Sequence, residues 1–170
     1  VMIDFISEIK ETVGYEIREL NLGGGFGIKY LESDTPKPFS EYMKRVSVVV
    51  KNEAEKKNVK LPFILIEPGR SVVGAEGVTV YTIWAVKHIP NIRTYISVDG
   101  GMTDNPRYIL YQSDYDVMCA NKANEPKTEK VTVAGKCCES GDLIQENTPI
   151  QQVEAWDLLA VLSPGYYNSS

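Results

Sequence analysis

The first 75 residues alternate between the residue spacing of helices and the short apolar runs of strands, and this alternation constrains the fold most strongly. Apolar residues in the first segment recur at helical spacing, and Gly14 follows them as a helix terminator. Four elements are predicted in the order helix, strand, helix, strand: Met2–Val13, Glu16–Leu22, Phe39–Lys57 with Ser40 as its N-cap, and Phe63–Ile66. The last run is continuously apolar, which is typical of a parallel strand buried on both faces. This order predicts α/β architecture.

The pattern changes after Arg70, where strand-like runs follow one another between Gly, Pro, Asn and Asp turns. The predicted strands are Val78–Lys87, Thr94–Val98, Tyr108–Gln112, Asp116–Ala120, Lys130–Ala134 and Ala155–Leu162. Residues 121–129 are polar and predict a surface hairpin loop, and Trp84 and Trp156 are expected in the core. We therefore expect an α/β domain over residues 1–77 and a mainly β domain over 78–170.

Composition excludes several classes of partner. The net charge of -5 gives no general attraction to nucleic acid or to anionic lipid. The apolar runs fall far short of the ~20 residues that span a membrane. The three cysteines have no zinc-type spacing, so no metal site is predicted. Free thiols are typical of a reducing cytoplasm, where we expect this protein. The chain opens on Val1 rather than Met, which leads us to expect further residues upstream.

Two loops that follow the first two predicted strands have the residues of an anion site. Gly23-Gly24-Gly25 would let backbone N–H groups approach a phosphate closely, although a triple glycine also suits a tight turn. In Glu67-Pro68-Gly69-Arg70, the amides near Gly69 and the Arg70 guanidinium could grip a phosphate or a carboxylate. A surface salt bridge between Glu67 and Arg70 is the alternative. Loops at the C-terminal ends of adjacent parallel strands favour the anion site.

Arg107 and Tyr111 are four residues apart, and in a strand this even spacing places both on one side. An arginine can hold a carboxylate through two hydrogen bonds, and a tyrosine can add a third. Alternatively, Asp99 and Asp104 simply neutralise Arg107.

The segment Cys138-Glu139-Ser140-Gly141-Asp142 packs a thiol, a hydroxyl and two carboxylates into five residues. The Cys138 thiol could transfer a proton, and the Glu139 carboxylate could receive an ammonium group. Asp142 could hold the loop by accepting hydrogen bonds from backbone amides.

Taken together and in this order, these motifs resemble the diaminopimelate decarboxylases, which belong to the fold-type III, alanine-racemase-like group of pyridoxal-phosphate enzymes. The motifs that carry the resemblance are Gly-Gly-Gly-Phe, Glu-Pro-Gly-Arg, Asp-Gly-Gly-Met with a downstream arginine, and Cys-Glu-Ser-Gly-Asp. The resemblance implies the last two units of a pyridoxal-phosphate-binding (β/α)8 barrel followed by a C-terminal β-barrel or sandwich-like domain. Two units cannot close a barrel, so other residues or another chain would complete it. The lysine that holds the cofactor in this family lies on the first barrel strand, outside this chain.

The resemblance also implies a role for individual residues. The cofactor pyridoxal 5'-phosphate would contact Gly24, Gly25, Glu67, Gly69, Arg70 and Tyr166. The amino-acid substrate would contact Arg70, Arg107, Tyr111 and Glu139. Cys138 would be the catalytic proton donor, and Cys138 and Glu139 would reach into the active site of a partner subunit, which implies a homodimer with shared sites.

The implied reaction is the decarboxylation of meso-2,6-diaminopimelate to L-lysine and CO2 in lysine biosynthesis. Related decarboxylases that act on ornithine, arginine or carboxynorspermidine are an alternative, and Glu139 favours diaminopimelate among these. A further alternative is a truncated, non-catalytic homologue that serves as a dimer partner or regulatory module. The anion site and the Cys138-Glu139 pair argue against that module, because it would not need them.

Overall fold

The computed structural model describes residues 1–168, and the chain divides into two compact units. The first unit comprises residues 1–27 and 35–69. The second comprises residues 28–34 and the chain from residue 70 onward.

The first unit contains two helices and two strands, in the order that the sequence predicts. These elements are α1 (Met2–Val13), β1 (Glu19–Asn21), α2 (Phe39–Lys56) and β2 (Phe63–Leu65). The two strands pair in parallel, with Leu20 opposite Ile64. Their apolar residues and those of the helices form one core, whose buried members are Ile3, Ile6, Leu20, Val50, Ala54 and Val59.

The ends of the two helices show one correct and one wrong prediction. Gly14 ends α1 in the left-handed conformation (φ 71°), and its N–H donates to the carbonyl of Lys10 at 3.1 Å. The predicted cap Ser40 is wrong, because α2 begins at Phe39 with the extended Pro38 in the N-cap position. The fixed φ of proline suits the entry to a helix, which places Ser40 inside the first turn.

Strand β2 is not buried on both faces, contrary to the prediction from its apolar run. The side chain of Phe63 is 76% exposed and Leu65 is also exposed, whereas Ile64 packs against the core of this unit. The strand therefore presents an open apolar face.

The second unit is mainly sheet. Its elements are the short helix α3 (Gly69–Val73, which starts at the junction), β3 (Val78–Ile89), β4 (Arg93–Val98), α4 (Arg107–Tyr111), β5 (Val117–Cys119), a 3₁₀ turn (Ala120–Lys122), β6 (Glu129–Ala134), β7 (Leu143–Ile150) and β8 (Leu158–Leu162). The six strands form one sheet in the order β5-β8-β3-β4-β6-β7. Neighbours are antiparallel except β4 and β6, which are parallel.

This sheet curls into a nearly closed barrel, because its two outer strands β5 and β7 also contact each other. Two buried glutamines form hydrogen bonds where the two outer strands meet. Gln145 accepts from the N–H of Tyr115 at 3.1 Å, and Gln151 accepts from the N–H of Cys119 at 2.9 Å. The core inside the curl is apolar and fully buried, and includes Ile83, Ile96, Val117, Val133, Ile144, Leu159 and Val161.

Three predictions for this unit are wrong. The run Tyr108–Gln112 is helical rather than extended. α4 starts after Pro106, and Gln112 is its C-cap with a left-handed φ of 51°. The N–H of Gln112 donates to the carbonyl of Tyr108 at 2.7 Å. Residues 121–129 do not form a hairpin loop, because the strands on either side, β5 and β6, are not neighbours in the sheet. Strand β7 was not predicted; it lies at the end of the sheet order, where a strand tolerates Pro149.

Both tryptophans lie at the surface rather than in the core. Trp84 is 55% exposed beside an irregularity in the register of β3, and Trp156 is 77% exposed. Trp156 adopts a left-handed φ of 76° in the turn before β8, and its N–H donates to the carbonyl of Ile83 at 2.7 Å. The turn geometry directs this side chain outward.

No helix between residues 1 and 168 is long and apolar enough to cross a membrane.

Candidate active site

In the first unit, the glycine cluster and the residues after β2 lie side by side. The N–H of Gly23 donates to the Asn21 side chain at 2.8 Å, and the carbonyl of Gly23 accepts from the N–H of Glu67 at 2.8 Å. Gly24 approaches the carbonyl oxygen of Glu67 so closely that a Cβ atom would overlap it. Only glycine fits this approach, which brings the loops that follow the two parallel strands together.

The backbone of this cluster suits an anion. Among residues 1–168, the exposed N–H groups of Gly24 and Gly25 have no hydrogen-bond partner. The Glu67 carboxylate accepts from Asn21 Nδ2 at 2.6 Å. Free backbone donors at a Cβ-free surface are what a phosphate group needs, and these residues therefore fit the phosphate of pyridoxal phosphate.

In the second unit, Arg107 is the first residue of α4 and faces aromatic rings. Its Cζ lies 5.1 Å from the ring of Tyr111, one helical turn further along, and its Nη2 donates to Ser113 at 3.3 Å. Arg107 forms no ion pair with a carboxylate in the described part of the chain. Arg107 and Tyr111 therefore lie on one side, as predicted, but on a helix rather than a strand. Residues four apart share one helix face.

The two aspartates that could have neutralised Arg107 are engaged elsewhere. Asp99 accepts from the N–H of Thr82 at 2.9 Å. Asp104 accepts from the N–H of Gly101 at 2.9 Å and from the hydroxyl of Tyr81. Burial and, secondarily, the hydrogen bond to Asp104 raise the pKa of Tyr81, so its hydroxyl keeps its proton. These contacts fix the turn that leads into Arg107 and leave its charge uncompensated.

Tyr166 brings a second arginine to the same place. Its ring lies 4.6 Å from the Cζ of Arg107 and 5.6 Å from the Cζ of Arg70, and the side chain is only 9% exposed. Gly74 borders this ring, and a Cβ there would lie 3.1 Å from it. Like Arg107, Arg70 has no carboxylate partner among residues 1–168. Two unpaired guanidinium groups at one ring are suited to a carboxylate or phosphate ligand.

Several buried polar atoms around this ring have no hydrogen-bond partner in the described part of the chain. They are the hydroxyls of Tyr30 and Tyr166, Arg107 Nε and Asn168 Oδ1. The ring of Tyr30 lies 6.4 Å from that of Tyr166, which places these atoms in one neighbourhood. Buried polar atoms are costly unless they are bonded, so a ligand or bound water would complete this cluster.

A separate network holds α4 in place. Glu146 on β7 accepts from the hydroxyl of Tyr108 at 2.6 Å and from Arg93 Nη1 at 2.6 Å. Burial and the hydrogen bond to Glu146 raise the pKa of Tyr108 to about 12. The same hydrogen bonds, from Tyr108 first and then Arg93, lower the pKa of Glu146. The network anchors the helix from which Arg107 projects.

Cys138 and Glu139 lie in the loop between β6 and β7, and both are exposed. The Glu139 carboxylate accepts from the N–H of Gly141 at 3.2 Å and from the hydroxyl of Ser140 at 3.2 Å. Two weak neutral donors leave this carboxylate available to a cation. Burial and the Asp142 carboxylate raise the pKa of the neighbouring Cys137 thiol.

The expectation that Asp142 holds its own loop is confirmed. Its Oδ2 accepts from the N–H of Cys137 at 2.7 Å. Its Oδ1 accepts from the N–H of Met102 at 2.6 Å, a bond to a distant segment that sequence reasoning missed.

The second unit thus brings Arg70, Arg107, Tyr111 and Tyr166 together, whereas Cys138 and Glu139 make no hydrogen bond or ring contact with them within residues 1–168. Sequence reasoning missed the supporting residues Tyr30, Tyr108 and Glu146. The aromatic run after Pro106 indicated Tyr108 alone, and this run was interpreted as a strand.

Comparison with known proteins identifies the family. Residues 34–165 match the family described as the C-terminal sheet domain of pyridoxal-dependent decarboxylases, and the chain belongs to this family. The fold prediction of a C-terminal decarboxylase sheet domain is therefore confirmed, as is the link to pyridoxal phosphate that the family description states.

Within this class, diaminopimelate decarboxylases are among the relatives that resemble this chain. The enzyme of Halalkalibacterium halodurans is 48% identical over 161 residues, covering 95% of this chain and 37% of the relative. A solved structure of diaminopimelate decarboxylase from M. jannaschii is 30% identical, with a TM-score of 0.83, covering 98% of this chain and 37% of that chain. A second M. jannaschii structure, a co-complex with L-lysine, has a TM-score of 0.80 at 30% identity. The chain therefore spans a little more than a third of the length of these relatives.

Proposed function

We propose that this chain is the C-terminal part of a pyridoxal-phosphate-dependent decarboxylase that converts meso-2,6-diaminopimelate to L-lysine and CO2. The observation that carries the proposal is the pair Arg70 and Arg107, which meet at the ring of Tyr166 with no carboxylate partner among residues 1–168. A substrate with two carboxylates and two ammonium groups needs such a site. Relatives that are 48% and 46% identical carry the name diaminopimelate decarboxylase.

The fold proposal extends the family assignment. We propose that residues 1–77 are the last two units of a (β/α)8 barrel and that residues 78–170 are the β domain; Ser169 and Ser170 lie outside the described residues. The parallel pairing of β1 and β2, each preceded by a helix, supports this. The open apolar face of β2, with Phe63 exposed, is what a strand would show without the rest of the barrel core.

We assign the cofactor phosphate to the glycine cluster and the residues after β2. The free N–H groups of Gly24 and Gly25 support the assignment, and Glu67, Gly69 and Arg70 would complete the contact. When bound, pyridoxal phosphate supplies an electron sink for the electron pair left as CO2 departs. Tyr166 would contact the cofactor from the C-terminal segment.

We assign the substrate to Arg70, Arg107, Tyr111 and Glu139. The guanidinium groups would hold a substrate carboxylate by paired hydrogen bonds, with the Tyr111 hydroxyl adding a third. Glu139 would receive the ammonium group at the far end of the substrate. Cys138 would return a proton from its thiol to the carbon that lost CO2.

Within residues 1–168, Cys138 and Glu139 make no hydrogen bond with Arg107, and this supports a shared site. We propose a homodimer in which this loop completes the active site of the partner subunit. A thiol that must stay reduced favours the cytoplasm as its compartment.

A substrate comparison with the full-length protein tests the proposal. CO2 release and product formation are measured with meso-diaminopimelate, ornithine and arginine as substrates. We expect L-lysine from diaminopimelate with a kcat/KM far above that of the other two. A preference for ornithine or arginine would overturn the substrate assignment, and absence of CO2 release from all three would favour the regulatory module.

A further inference from the structure

The buried carboxylate of Asp142 joins two segments that are distant in sequence. Its side chain accepts from the N–H of Met102 at 2.6 Å and from the N–H of Cys137 at 2.7 Å, using a different oxygen for each. Asp142 is only 3% exposed. Bonds from two backbone donors to a buried carboxylate are among the stronger hydrogen bonds in proteins.

The backbone around this carboxylate is shaped for it. Gly101 and Gly135 border its oxygens so closely that a Cβ at either position would overlap them. The N–H of Gly135 also donates to the backbone carbonyl of Asp142 at 2.8 Å, and the N–H of Lys136 donates to the carbonyl of Gly100 at 3.0 Å. The missing side chains of Gly101 and Gly135 therefore leave the space that the Asp142 carboxylate occupies.

Each segment leads within a few residues into a group of the proposed site. Met102 lies in the turn that runs into Arg107, and Cys137 immediately precedes Cys138 and Glu139. The hydrogen bonds of Asp142 therefore set where the exposed loop stands relative to the turn of the substrate-binding arginine.

We propose that Asp142 is a positioning residue that fixes the Cys138–Glu139 segment against the turn that leads into Arg107. This inference rests on the proposed function and deepens it. An asparagine could not replace Asp142 in this role. Its amide has only one acceptor oxygen, so its NH2 group would face one of the two N–H donors. The loop would then shift, and Cys138 and Glu139 would lose their alignment with the partner subunit's active site, which they are proposed to complete.

The same carboxylate distinguishes the two adjacent thiols. Burial and the proximity of Asp142 raise the pKa of Cys137, whereas Cys138 is exposed in the loop. Because the thiolate is the reactive form, an alkylating agent should modify Cys138 in preference to Cys137. Loss of the Asp142 charge should make Cys137 more reactive, which gives a readout that does not depend on turnover.

The test compares Asp142→Asn with Asp157→Asn in the full-length protein. Asp157 serves as a control for a buried carboxylate: it is 5% exposed, accepts from the N–H of Glu154 at 2.9 Å and from Asn121 Nδ2 at 2.6 Å, and also pairs with Lys122 Nζ at 2.7 Å. Iodoacetamide modification is followed by mass spectrometry, with fragment ions separating Cys137 from Cys138. Steady-state kinetics with diaminopimelate and thermal unfolding are measured in parallel.

We expect Asp142→Asn to lower kcat on the order of 10- to 100-fold and to raise the modification rate of Cys137 several-fold. Asp157→Asn should change neither, even where it lowers thermal stability equally. Kinetics and thiol reactivity of Asp142→Asn that match those of Asp157→Asn would overturn the proposal. If the wild type decarboxylates none of the substrates, the proposed function fails, while thiol reactivity still tests the link made by Asp142.

A measurement on the wild type covers the case in which Asp142→Asn does not fold. Amide hydrogen exchange reports whether the N–H groups of Met102 and Cys137 are bonded. Slow exchange at both positions supports the link, and fast exchange at both would overturn it.

Discussion

The ring of Tyr166 lies 4.6 Å from the Cζ of Arg107, and the same ring lies 5.6 Å from the Cζ of Arg70. A cation–π contact holds a guanidinium group through its face and leaves its N–H donors at the edge free for a carboxylate. Tyr166 can therefore orient both arginines without competing for the ligand. The hydroxyl of Tyr166 has no hydrogen-bond partner among residues 1–168. Within the fold, this side chain therefore acts through its ring.

Replacing Tyr166 separates the role of the ring from that of the hydroxyl. Tyr166→Ala removes the contacts with both arginines, and we expect KM for diaminopimelate to rise about 10-fold, as for the loss of a desolvated cation–π pair. Tyr166→Phe keeps the ring and should leave KM within about 3-fold of the wild type. Steady-state kinetics of the full-length protein measure both.

A matched control exists on β4, where the Cζ of Arg93 lies 5.7 Å from the ring of Tyr95. Tyr95→Ala removes a similar contact from an arginine that bonds Glu146 rather than the proposed substrate, and it should raise KM much less than Tyr166→Ala does. If Tyr166→Phe raises KM as much as Tyr166→Ala, the hydroxyl rather than the ring is the functional part, as expected for a direct contact with the cofactor.

The elements that the sequence predicts well are those with long, regular patterns. α1 matches its predicted bounds, because Ile3 and Ile6 repeat at helical spacing and Gly14 ends the helix. β3 and β6 were found because apolar residues alternate in them. Local pattern is sufficient where apolar residues recur regularly along an element.

The failures have a tertiary cause. The run from Tyr108 to Tyr111 is rich in residues that favour strands, but the Tyr108 hydroxyl bonds Glu146 on another strand, a contact that no local pattern contains. β7 was missed because Glu146 and Pro149 interrupt its alternation. The candidate site residues were predicted from motifs, whereas the meeting of Arg70 and Arg107 at the ring of Tyr166 depends on contacts between segments far apart in sequence.

Substitution of Gly24 should weaken cofactor binding selectively. A Cβ at this position would overlap the carbonyl oxygen of Glu67, so Gly24→Ala must separate the two loops whose amides we assign to the phosphate. We expect the Kd of the full-length protein for pyridoxal phosphate to rise at least about 10-fold, equivalent to the loss of one charged hydrogen bond. Titration followed by cofactor absorbance measures this.

Gly27→Ala is the control for this substitution. A Cβ at Gly27 would lie 3.8 Å from the Cβ of Pro36, which is ordinary van der Waals contact. This variant should bind the cofactor like the wild type. Equal Kd values for Gly24→Ala and the wild type would contradict the assignment of the glycine cluster to the phosphate.

The anchor of α4 should depend on pH in a defined direction. Hydrogen bonds from Tyr108 and Arg93 lower the pKa of Glu146 below its ordinary value of 4.5. A carboxylate with a lowered folded-state pKa stabilises the fold above its unfolded-state pKa, and this contribution is lost as pH falls through the folded-state value. Glu146→Gln should therefore lower the free energy of unfolding at pH 7 by about 1 kcal/mol, and the difference from the wild type should shrink below pH 4.5.

Urea unfolding of the full-length protein at several pH values measures this difference. Asp116→Asn is a suitable comparison, because Asp116 is about as exposed as Glu146 and pairs with Lys127 at 2.7 Å outside α4. It tests whether any carboxylate-to-amide change has the same effect. A Glu146→Gln effect that stays constant from pH 7 to pH 3 would show that the charge of Glu146 is not what anchors the helix.

Glu139 should recognise the distal ammonium group of the substrate and nothing else. Its carboxylate is exposed and, within residues 1–168, accepts from Ser140 and from the N–H of Gly141 alone, each at 3.2 Å, so Glu139→Gln leaves the loop in place but removes the charge. We expect KM for diaminopimelate to rise about 10-fold or more, because a charged hydrogen bond is lost. KM for 2-aminopimelate, which lacks the distal amine, should stay unchanged, and the ratio of the two KM values isolates this contact from any general damage to the loop. An equal rise for both substrates would mean that Glu139 shapes the loop instead, and the preference for diaminopimelate would then have to come from Arg107 and its aromatic neighbours.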